Sequence, residues 1–275
     1  MKTKPYWIVD EYLLDISERK DEIVSFLDKY CEYVITPYSR FHSLDLPNEV
    51  IDGVTKCGIS YGSVQFTSKC TREANLYPIS YYDETFFHVM HYTSKYDPSY
   101  FLNSDGFFVT YSWLCKNLSY YQSILGNKIF VRPNSPKKLF TGLVIENEED
   151  LNILFKTSSV VGTTLLFISS AKHLSKEIRY FIVDGKVVAH SQYHSDHEIF
   201  ISEDDNLECR ELAQKMADDT EAFNNTFVCD VGLHDGVPKV VELNCINTSG
   251  WYLANVYDIM SALNTKIINE FSNYE

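Results

Sequence analysis

Three polar side chains interrupt two apolar runs between Thr226 and Asn244. The first run, TFVCDV, carries Asp230, and the second, VPKVVEL, carries Glu242 and is followed by Asn244. The residues HDG between them are turn formers, so the pattern is typical of a β-hairpin. Carboxylate and amide oxygens are the hard ligands that hold Mg²⁺ beside phosphates. The hairpin therefore contains a candidate metal site, although a surface hairpin with solvated polar residues has the same pattern.

Whether these three side chains meet depends on the register of the hairpin. Glu242 and Asn244 are two residues apart on one strand, so they share a face of the sheet. A two-residue turn would place Asp230 on the opposite face, whereas a three-residue loop over 235–237 would place it opposite Glu242. Pro238 lacks an N–H group, which favours the wider loop. We therefore expect the three-residue loop and a shared face.

A second candidate for chemistry is a cation at the end of a strand. The run IFVRP predicts a buried strand that ends at Arg132 and Pro133, and the polar loop KKLFTG that follows ends at Gly142. A cation beside a loop with free backbone N–H groups can hold a polyphosphate. The loop has no Walker A pattern, and a hairpin with surface lysines is the plainer interpretation.

A further hairpin, KEIRYFIVDGKVVAHSQYH, contains a strong two-residue turn signal at 184–185. With that turn and regular pairing, Arg179 faces His190 and Glu177 faces Gln192. Acidic and basic side chains then alternate on one face as short-range partners over a cleft. The opposite, core-facing side would be apolar and formed by Ile178, Tyr180, Ile182, Val187 and Ala189.

Composition and charge exclude several classes of protein. The net charge of −14 makes a nucleic acid an unexpected main partner, because phosphate binding rests on clustered lysine and arginine. No apolar run reaches the length of a membrane span. The seven cysteines are scattered and form no C-x-x-C pair, which favours free thiols in a reducing cytoplasm. The first residues contain acids soon after two lysines, so we expect no signal peptide.

The elements that must position these residues begin with a small α/β unit of about 100 residues. It ends in an aromatic-rich stretch, 81–100, that has no clear period and is left unassigned. Helices are predicted by apolar spacing within 16–31, 112–125, 147–156, 204–224 and 252–271. The fourth of these is expected to bury Leu207, Leu212, Met216 and Phe223.

Taken in order, the motifs resemble the ATP-grasp superfamily. FVRP, KKLFTG, EIRYFIVDGKVVA, a helix, CDVG, VVELN and SGWY follow one another at compatible spacing over about 103–252. The chain is most similar to the bacterial and phage clade with arginine in place of the usual phosphate-binding lysine, and YGS at 61–63 resembles that clade's glycine–serine element. The resemblance implies an α+β fold whose two α+β lobes, within 103–275, clasp ATP. A small α/β domain over 1–102 would precede them.

The resemblance also implies which residues contact the nucleotide. It places Arg132 at the phosphates and Arg179, with Glu177 beside it, at the transferred phosphoryl group. The mobile loop that closes over the phosphates would contain Lys138, Thr141 and Gly142. The hinge between the lobes, which pairs with adenine, would contain Phe167, Ile168 and Ser169.

Metal and substrate positions follow from the same resemblance. The ligands of Mg²⁺ would be Asp230, Glu242 and Asn244, and the substrate side would contain Ser249, Gly250 and His194. His194 stands where related ligases often have another basic residue. A partly neutral histidine would weaken a site for an anionic substrate near pH 7, so the substrate stays open. Cys245, next to the metal face, is expected to be a packing residue.

Three functions agree with this pattern. The first is a ligase that uses ATP to join a carboxylate to an amine, on a small molecule or a peptide, through an acyl phosphate. The second is a kinase on the same fold, and the third is a nucleotide-binding protein without catalysis. The complete set of Asp230, Glu242, Asn244 and Arg179 argues against the third. Ligase and kinase are not separated by the sequence.

Overall fold

The computed structural model describes residues 4–196, 198–219 and 225–274, which form three β-sheets. The first sheet is parallel, with strand order β2-β1-β3-β4. Its strands are β1 (Tyr6–Asp10), β2 (Glu32–Thr36), β3 (Lys56–Tyr61) and β4 (Leu76–Ile79). Parallel strands need crossover connections, and helices supply most of these. They are α1 (Glu11–Asp15), α2 (Lys20–Tyr30), α3 (Asn48–Ile51) and α4 (Val64–Glu73).

The aromatic-rich stretch that follows has no regular period because its side chains are buried individually and not along one face of a long helix or strand. It contains a short helix, α5 (Val89–Thr93), and a 3₁₀ turn at Pro98–Tyr100. Its buried rings join the core on one face of the third sheet; they are Phe87, Tyr92, Tyr96 and Phe101. The stretch therefore belongs to the core instead of connecting two units loosely.

The second sheet is antiparallel, with strand order β5-β8-β6-β7. Its strands are β5 (Phe107–Thr110), β6 (Ile129–Pro133), β7 (Leu143–Ile145) and β8 (Leu165–Ser170). The helices of this lobe are α6 (Tyr111–Lys116), α7 (Leu118–Leu125) and α8 (Glu148–Thr157). The helical stretch predicted within 112–125 is confirmed, but the non-helical backbone of Asn117 divides it into α6 and α7. The helix predicted at 147–156 is confirmed, and a capping box between Asn147 and Asp150 fixes its start.

The third sheet has strand order β11-β10-β9-β12-β13 and is also antiparallel. Its strands are β9 (Lys176–Val183), β10 (Lys186–Ser195), β11 (Glu198–Ser202), β12 (Phe227–His234) and β13 (Val237–Asn244). The helix α9 (Leu207–Asp218) covers one face and buries Met216. Leu207 is 69% exposed, so its predicted burial is wrong, and Phe223 lies outside the described residues.

The last helix, α10 (Val256–Tyr274), joins the first and third sheets. Its apolar side chains share one core with both sheets, including Trp7, Phe181 and Leu263. The indole Nε1 of Trp7 donates to Oδ1 of Asn264 at 2.9 Å inside this core. The helix starts at 256 and not at 252, because Tyr252 has a left-handed backbone with φ of 49°.

The pairing of β9 with β10 differs from the predicted register. The two-residue turn at 184–185 is confirmed, but Val188 and Tyr193 are each left without a partner in β-bulges. As a result Arg179 lies opposite Ser191, and Glu177 lies opposite His194. The predicted partners His190 and Gln192 are therefore wrong. The predicted face for Ala189 is also wrong, since it pairs with Phe181 and not with the alternate residues of β9.

The hairpin of β12 and β13 reaches the expected arrangement by another route. Its turn has two residues, since His234 pairs with Val237, so the predicted three-residue loop is wrong. A β-bulge then leaves Val241 unpaired. The extra residue shifts the register by one, and Asp230 lies opposite Glu242 as predicted.

The described parts of the chain contain no disulfide bond and no helix that could cross a membrane. All seven cysteines are free thiols, and six of them are buried. Burial raises the pKa of Cys245 to about 12, which agrees with a packing role. No helix within the described ranges is long and apolar enough to cross a membrane.

Candidate active site

One row of side chains crosses four neighbouring strands of the third sheet. Glu242 on β13 lies opposite Asp230 on β12, which lies opposite Arg179 on β9, which lies opposite Ser191 on β10. Residues directly opposite each other in an antiparallel sheet have side chains on the same face. The row thus collects charges that are far apart in sequence.

Arg179 and Asp230 form a buried, two-pronged ion pair at the centre of the row. Nε and Nη2 of the guanidinium each donate to one carboxylate oxygen at 2.8 Å. The side chains are 7% and 0% exposed. Burial raises the pKa of Asp230 to about 6, against the opposing effect of Arg179. The fork geometry matches a carboxylate in a way that lysine cannot.

Arg132 brings the second sheet against the end of the row. Its Nη2 donates to Oε2 of Glu242 at 2.5 Å, and its Nη1 donates to the carbonyl of Val241 at 3.4 Å. Val241 is the extra residue of the bulge, so the same bulge aligns Glu242 and offers Arg132 a carbonyl. Burial acts to raise the pKa of Glu242, but Arg132, the hydrogen bond from Asn244 and the nearby charges of Lys138 and Arg179 together outweigh it, and the pKa falls to about 2.

Asn244 joins the two carboxylates. Its amide nitrogen donates to Oδ2 of Asp230 at 3.1 Å and to Oε1 of Glu242 at 2.7 Å. Within the described residues, no three His, Cys, Asp or Glu side chains group together to hold a metal. Two carboxylates and the amide oxygen of Asn244 are nevertheless hard oxygen donors, and their chemistry fits Mg²⁺. Of these three residues only Asp230 is fully buried.

The loop between β6 and β7 carries the three residues expected to close over phosphates. Lys138, Thr141 and Gly142 are all exposed, and Lys138 has a left-handed backbone with φ of 50°. Lys138 also contributes to the low pKa of Glu242, after Arg132, so its charge acts on the row. Thr141 lines a cavity of about 360 Å³ between this loop and α8, which lies behind the loop and not at the row.

The three predicted hinge residues lie on β8, and their side chains point away from open space. Ile168 is fully buried in the core of the second sheet, and Ser169 is also fully buried. Phe167 pairs with Arg132 across the strands and packs against Phe108 with ring centroids 4.8 Å apart. β8 is an interior strand, paired with β5 on one side and with β6 on the other, so a contact of these residues with adenine stays a prediction.

Glu177 and His194 lie next to the row, opposite each other on β9 and β10. Glu177 accepts a very short hydrogen bond from the hydroxyl of Tyr193, and its other oxygen lies 3.5 Å from Nδ1 of His194. The hydrogen bond to Glu177 raises the pKa of His194, whose side chain is 39% exposed. The neighbouring carboxylate thus favours the charged histidine, which acts against the partly neutral form expected from the sequence.

Ser249 and Gly250 belong to a segment that crosses the face of the third sheet. The carbonyl of Gly250 accepts from Nη1 of Arg179 at 3.2 Å, which brings this residue to the row. Ser249 is buried, and its carbonyl accepts from the hydroxyl of Tyr61 at 3.3 Å. The first sheet therefore supports the segment through Tyr61, the residue that precedes Gly62 and Ser63.

Asn247 connects the end of the hairpin of β12 and β13 to the first sheet. Its amide nitrogen donates to the carbonyl of Ser60 at 2.6 Å, and its Oδ1 accepts from the backbone of Tyr81 at 2.9 Å. Its own carbonyl accepts from the N–H of Gly62 at 2.9 Å. No sequence reasoning singled out Asn247, although its place in the run ELNCIN is a signal that could have found it.

The family of the chain follows from these motifs and from a direct match. A model of the ATP-grasp domain, R2K clade family 2, matches residues 115–262, which is more than half of the chain. The protein is an R2K-clade ATP-grasp protein. None of the curated proteins matches it by sequence.

Solved structures show that this ATP-grasp protein has the fold over its whole length. The D-alanine–D-alanine ligase of Bacillus anthracis, in complex with ATP, has a TM-score of 0.61 at 17% identity and covers 99% of this chain and 98% of its own. D-cycloserine synthetase has a TM-score of 0.65 at 9% identity, with 95% and 99% covered. N5-carboxyaminoimidazole synthetase of Staphylococcus aureus has 0.56 at 11%, with 89% and 71% covered. At identities this low, the structural similarity shows the two-lobed α+β fold alone.

Proposed function

We propose that this ATP-grasp protein is an ATP- and Mg²⁺-dependent ligase that joins a carboxylate to an amine. The observation that carries the proposal is the row of charges in which Asp230 and Glu242 are each paired with a different arginine. Phosphoryl transfer needs neutralised charge and alignment more than a nucleophile from the protein. The row offers fixed cations and oxygen ligands in a mostly buried setting, where their fields are strong.

The roles proposed for individual residues follow the row and its neighbours. Asp230, Glu242 and the amide oxygen of Asn244 would hold Mg²⁺, which neutralises phosphate oxygens when bound. Arg132 would contact the nucleotide phosphates, since it reaches Glu242 from the second sheet. Arg179, with Glu177 beside it, would steady the phosphoryl group in transfer. The backbone of the predicted hinge would meet adenine along Phe167, Ile168 and Ser169.

The chemistry proposed has two steps. An oxygen of the substrate carboxylate attacks the γ-phosphorus of ATP, the bond to the bridging oxygen breaks, and ADP leaves with an acyl phosphate formed. A neutral amine then attacks the acyl carbon, phosphate departs with that oxygen, and the nitrogen loses a proton to give the amide. Two steps replace one difficult condensation. Because water would hydrolyse the acyl phosphate, closure of the loop that carries Lys138, Thr141 and Gly142 would exclude it.

The substrate class proposed is a small molecule or peptide that brings a carboxylate, together with an amine acceptor. Ser249, Gly250 and His194 would lie on its side of the site, because Gly250 contacts Arg179 and His194 lies at the exposed edge. Similar folds carry the names of a D-alanine–D-alanine ligase and a D-cycloserine synthetase, which supports amide formation as the reaction class.

The proposal is tested by product analysis. ADP and phosphate release would be followed over a panel of amino acids and peptides with Mg·ATP. Mass spectrometry would detect a product lighter by one water than its two substrates together. Transfer of ¹⁸O from the substrate carboxylate into phosphate supports the acyl phosphate. A stable phosphorylated product, with neither free phosphate nor amide, replaces the ligase with a kinase.

We also propose that the chain divides into an α/β domain over 1–102 and an ATP-grasp domain over 103–275. The parallel sheet ends at Ile79 and the second sheet begins at Phe107, which supports a boundary between them. Because α10 packs on both the first and the third sheet, the two parts would be firmly joined.

A further inference from the structure

The guanidinium of Arg179 has other contacts besides its ion pair with Asp230. Besides the two bonds to Asp230, its Nη1 donates to the carbonyl of Gly250 at 3.2 Å. Three of the five N–H groups of the guanidinium thus have partners in the plane of the group. Two aromatic rings also lie close to the guanidinium.

Tyr193 and Tyr252 pack against the guanidinium and against each other. The Cζ atom of Arg179 lies 5.1 Å from the ring centroid of Tyr193 and 5.3 Å from that of Tyr252. The two rings stack with centroids 5.2 Å apart and planes within 2° of parallel. An aromatic ring within about 6 Å of a guanidinium attracts it through the negative charge of the ring face, most strongly where water is excluded.

Each tyrosine is placed by a backbone irregularity. Tyr193 is the extra residue of a β-bulge, which turns its ring toward Arg179, and its hydroxyl is tied to Glu177. Tyr252 has a left-handed backbone with φ of 49°, which is costly for a residue with a large side chain. Two independent irregularities that bring rings to one cation indicate that the arrangement serves the cation.

The segment that carries Tyr252 is fastened on both sides of it. Before it, the ring of Trp251 packs on Tyr61 with centroids 4.4 Å apart. After it, the N–H of Leu253 donates to Oγ of Ser191, at the end of the row, at 3.2 Å. The backbone of Tyr252 therefore cannot move away from Arg179 without breaking these contacts.

We propose that Tyr193 and Tyr252 are positioning residues that fix the guanidinium of Arg179 for phosphoryl transfer. The inference rests on the proposed function. A long arginine side chain has several rotamers, and a cation stabilises a transition state best when it is already in place. The pair compensates the desolvation of the guanidinium and limits its rotation, so that its charge is directed before the nucleotide arrives.

The first measurement does not depend on catalysis. With ¹⁵N-labelled arginine, the Nε–H signal of Arg179, assigned by its loss in Arg179→Lys, reports the surroundings of the guanidinium. In the wild type it should exchange with water at least about tenfold more slowly than the signal of Arg72, which is exposed. Equal exchange rates would overturn the proposal without any variant of the tyrosines.

Substitutions of Tyr252 then distinguish an effect of the aromatic ring from an effect of packing alone. Tyr252→Phe keeps the ring and should leave the Arg179 signal in place. Tyr252→Leu should shift that signal, because the ring current is lost, and speed its exchange about tenfold. Tyr274→Leu is the matched control, since Tyr274 stacks on Tyr77 with centroids 4.3 Å apart, in a pair that contacts no part of the row. If Tyr274→Leu alters the Arg179 signal as much as Tyr252→Leu does, the pair has no special role.

The kinetic measurement uses Mg·ATP and the substrates found by product analysis. Tyr252→Leu should lower kcat about tenfold and leave KM for ATP within about twofold, and Tyr252→Phe should restore kcat. An unchanged kcat in Tyr252→Leu, or a Phe variant as slow as Leu, would overturn the positioning role. If the wild type neither binds nor consumes Mg·ATP, the proposed function fails instead, and the arginine signals still decide whether the rings hold Arg179.

Discussion

Asp230 and Glu242 lie directly opposite each other on neighbouring strands, and each is neutralised by a different arginine. Arg179 reaches Asp230 from the same sheet, and Arg132 reaches Glu242 from the other lobe. Two carboxylates this close would repel each other if they were unpaired. The site thus depends on one ion pair within a lobe and one between the lobes, and changes to the two should have different effects.

Nucleotide should stabilise the folded protein. A ligand that binds only the native state, at a hundredfold excess over its Kd, stabilises by about 2.7 kcal/mol. We expect Mg·ADP and Mg·ATP to raise the Tm in a thermal scan, with a smaller shift when EDTA removes the metal. Unchanged Tm values at millimolar Mg·ATP would exclude the nucleotide site.

Glu242→Gln should stop turnover without unfolding the protein. The change keeps the shape of a side chain that is 25% exposed, but it removes a charged oxygen from the proposed metal site. Loss of one such group should lower kcat on the order of a hundredfold or more. Glu146→Gln, at a surface pair with Lys128, is the control and should retain full activity. Normal turnover in Glu242→Gln would refute the ligand assignment, and an unfolded variant would make Glu242 a structural residue.

Arg132→Lys should weaken nucleotide binding even though the charge is kept. Arg132 forks between Glu242 and the carbonyl of Val241, and a lysine ammonium cannot take up this planar geometry. We expect the Kd for Mg·ADP to rise about tenfold in calorimetry, equivalent to the loss of one charge-assisted hydrogen bond. Arg72→Lys, at an exposed position of α4, should leave the Kd unchanged. A lysine variant that binds as tightly as the wild type would show that the fork is unnecessary.

His194 should titrate above the ordinary histidine pKa of about 6.5. The hydrogen bond that His194 donates to Glu177 favours the protonated ring, so its contribution to stability is complete below the unfolded pKa. That contribution is lost as the pH rises through the higher folded pKa. NMR titration of the ring should show the raised value, and Glu177→Gln should lower it. A folded pKa at or below 6.5 in the wild type would contradict the pairing.

Asn264→Ala should destabilise the fold without touching the charged row. The change leaves the buried Nε1 of Trp7 without its acceptor, and an unpaired buried donor costs about 1–3 kcal/mol. Urea unfolding should show this loss in the free energy of unfolding, whereas Asn269→Ala, on the exposed side of the same helix, should change it by less than about 0.5 kcal/mol. Equal stabilities of the two variants would mean that the tie between α10 and β1 carries no energy.

Local patterns in the sequence predicted the family and much of the site. The sequence correctly predicts the turn at 184–185 and the strands on either side of it, because two-residue turns have a strong local signature. The shared face of Glu242 and Asn244 is predicted from the sequence, since their spacing of two on one strand fixes it, whereas the face of Asp230 depends on the register. The roles of these residues in binding stay predictions until they are measured.

Tertiary structure alone decided which side chains meet Arg179. The bulges at Val188, Tyr193 and Val241 each add one residue to a strand. The alternation of apolar residues in the sequence does not reveal them. The bulge at Val188 places Ser191 instead of His190 opposite Arg179. The bulge at Val241 brings Asp230 opposite Glu242, a pairing that a two-residue turn with regular strands would not give. The left-handed backbone of Tyr252 is equally hidden, because contacts of Trp251 and Leu253 with distant strands stabilise it. A register depends on the whole sheet and its coverings, so a one-residue shift is decided by packing and not by local sequence.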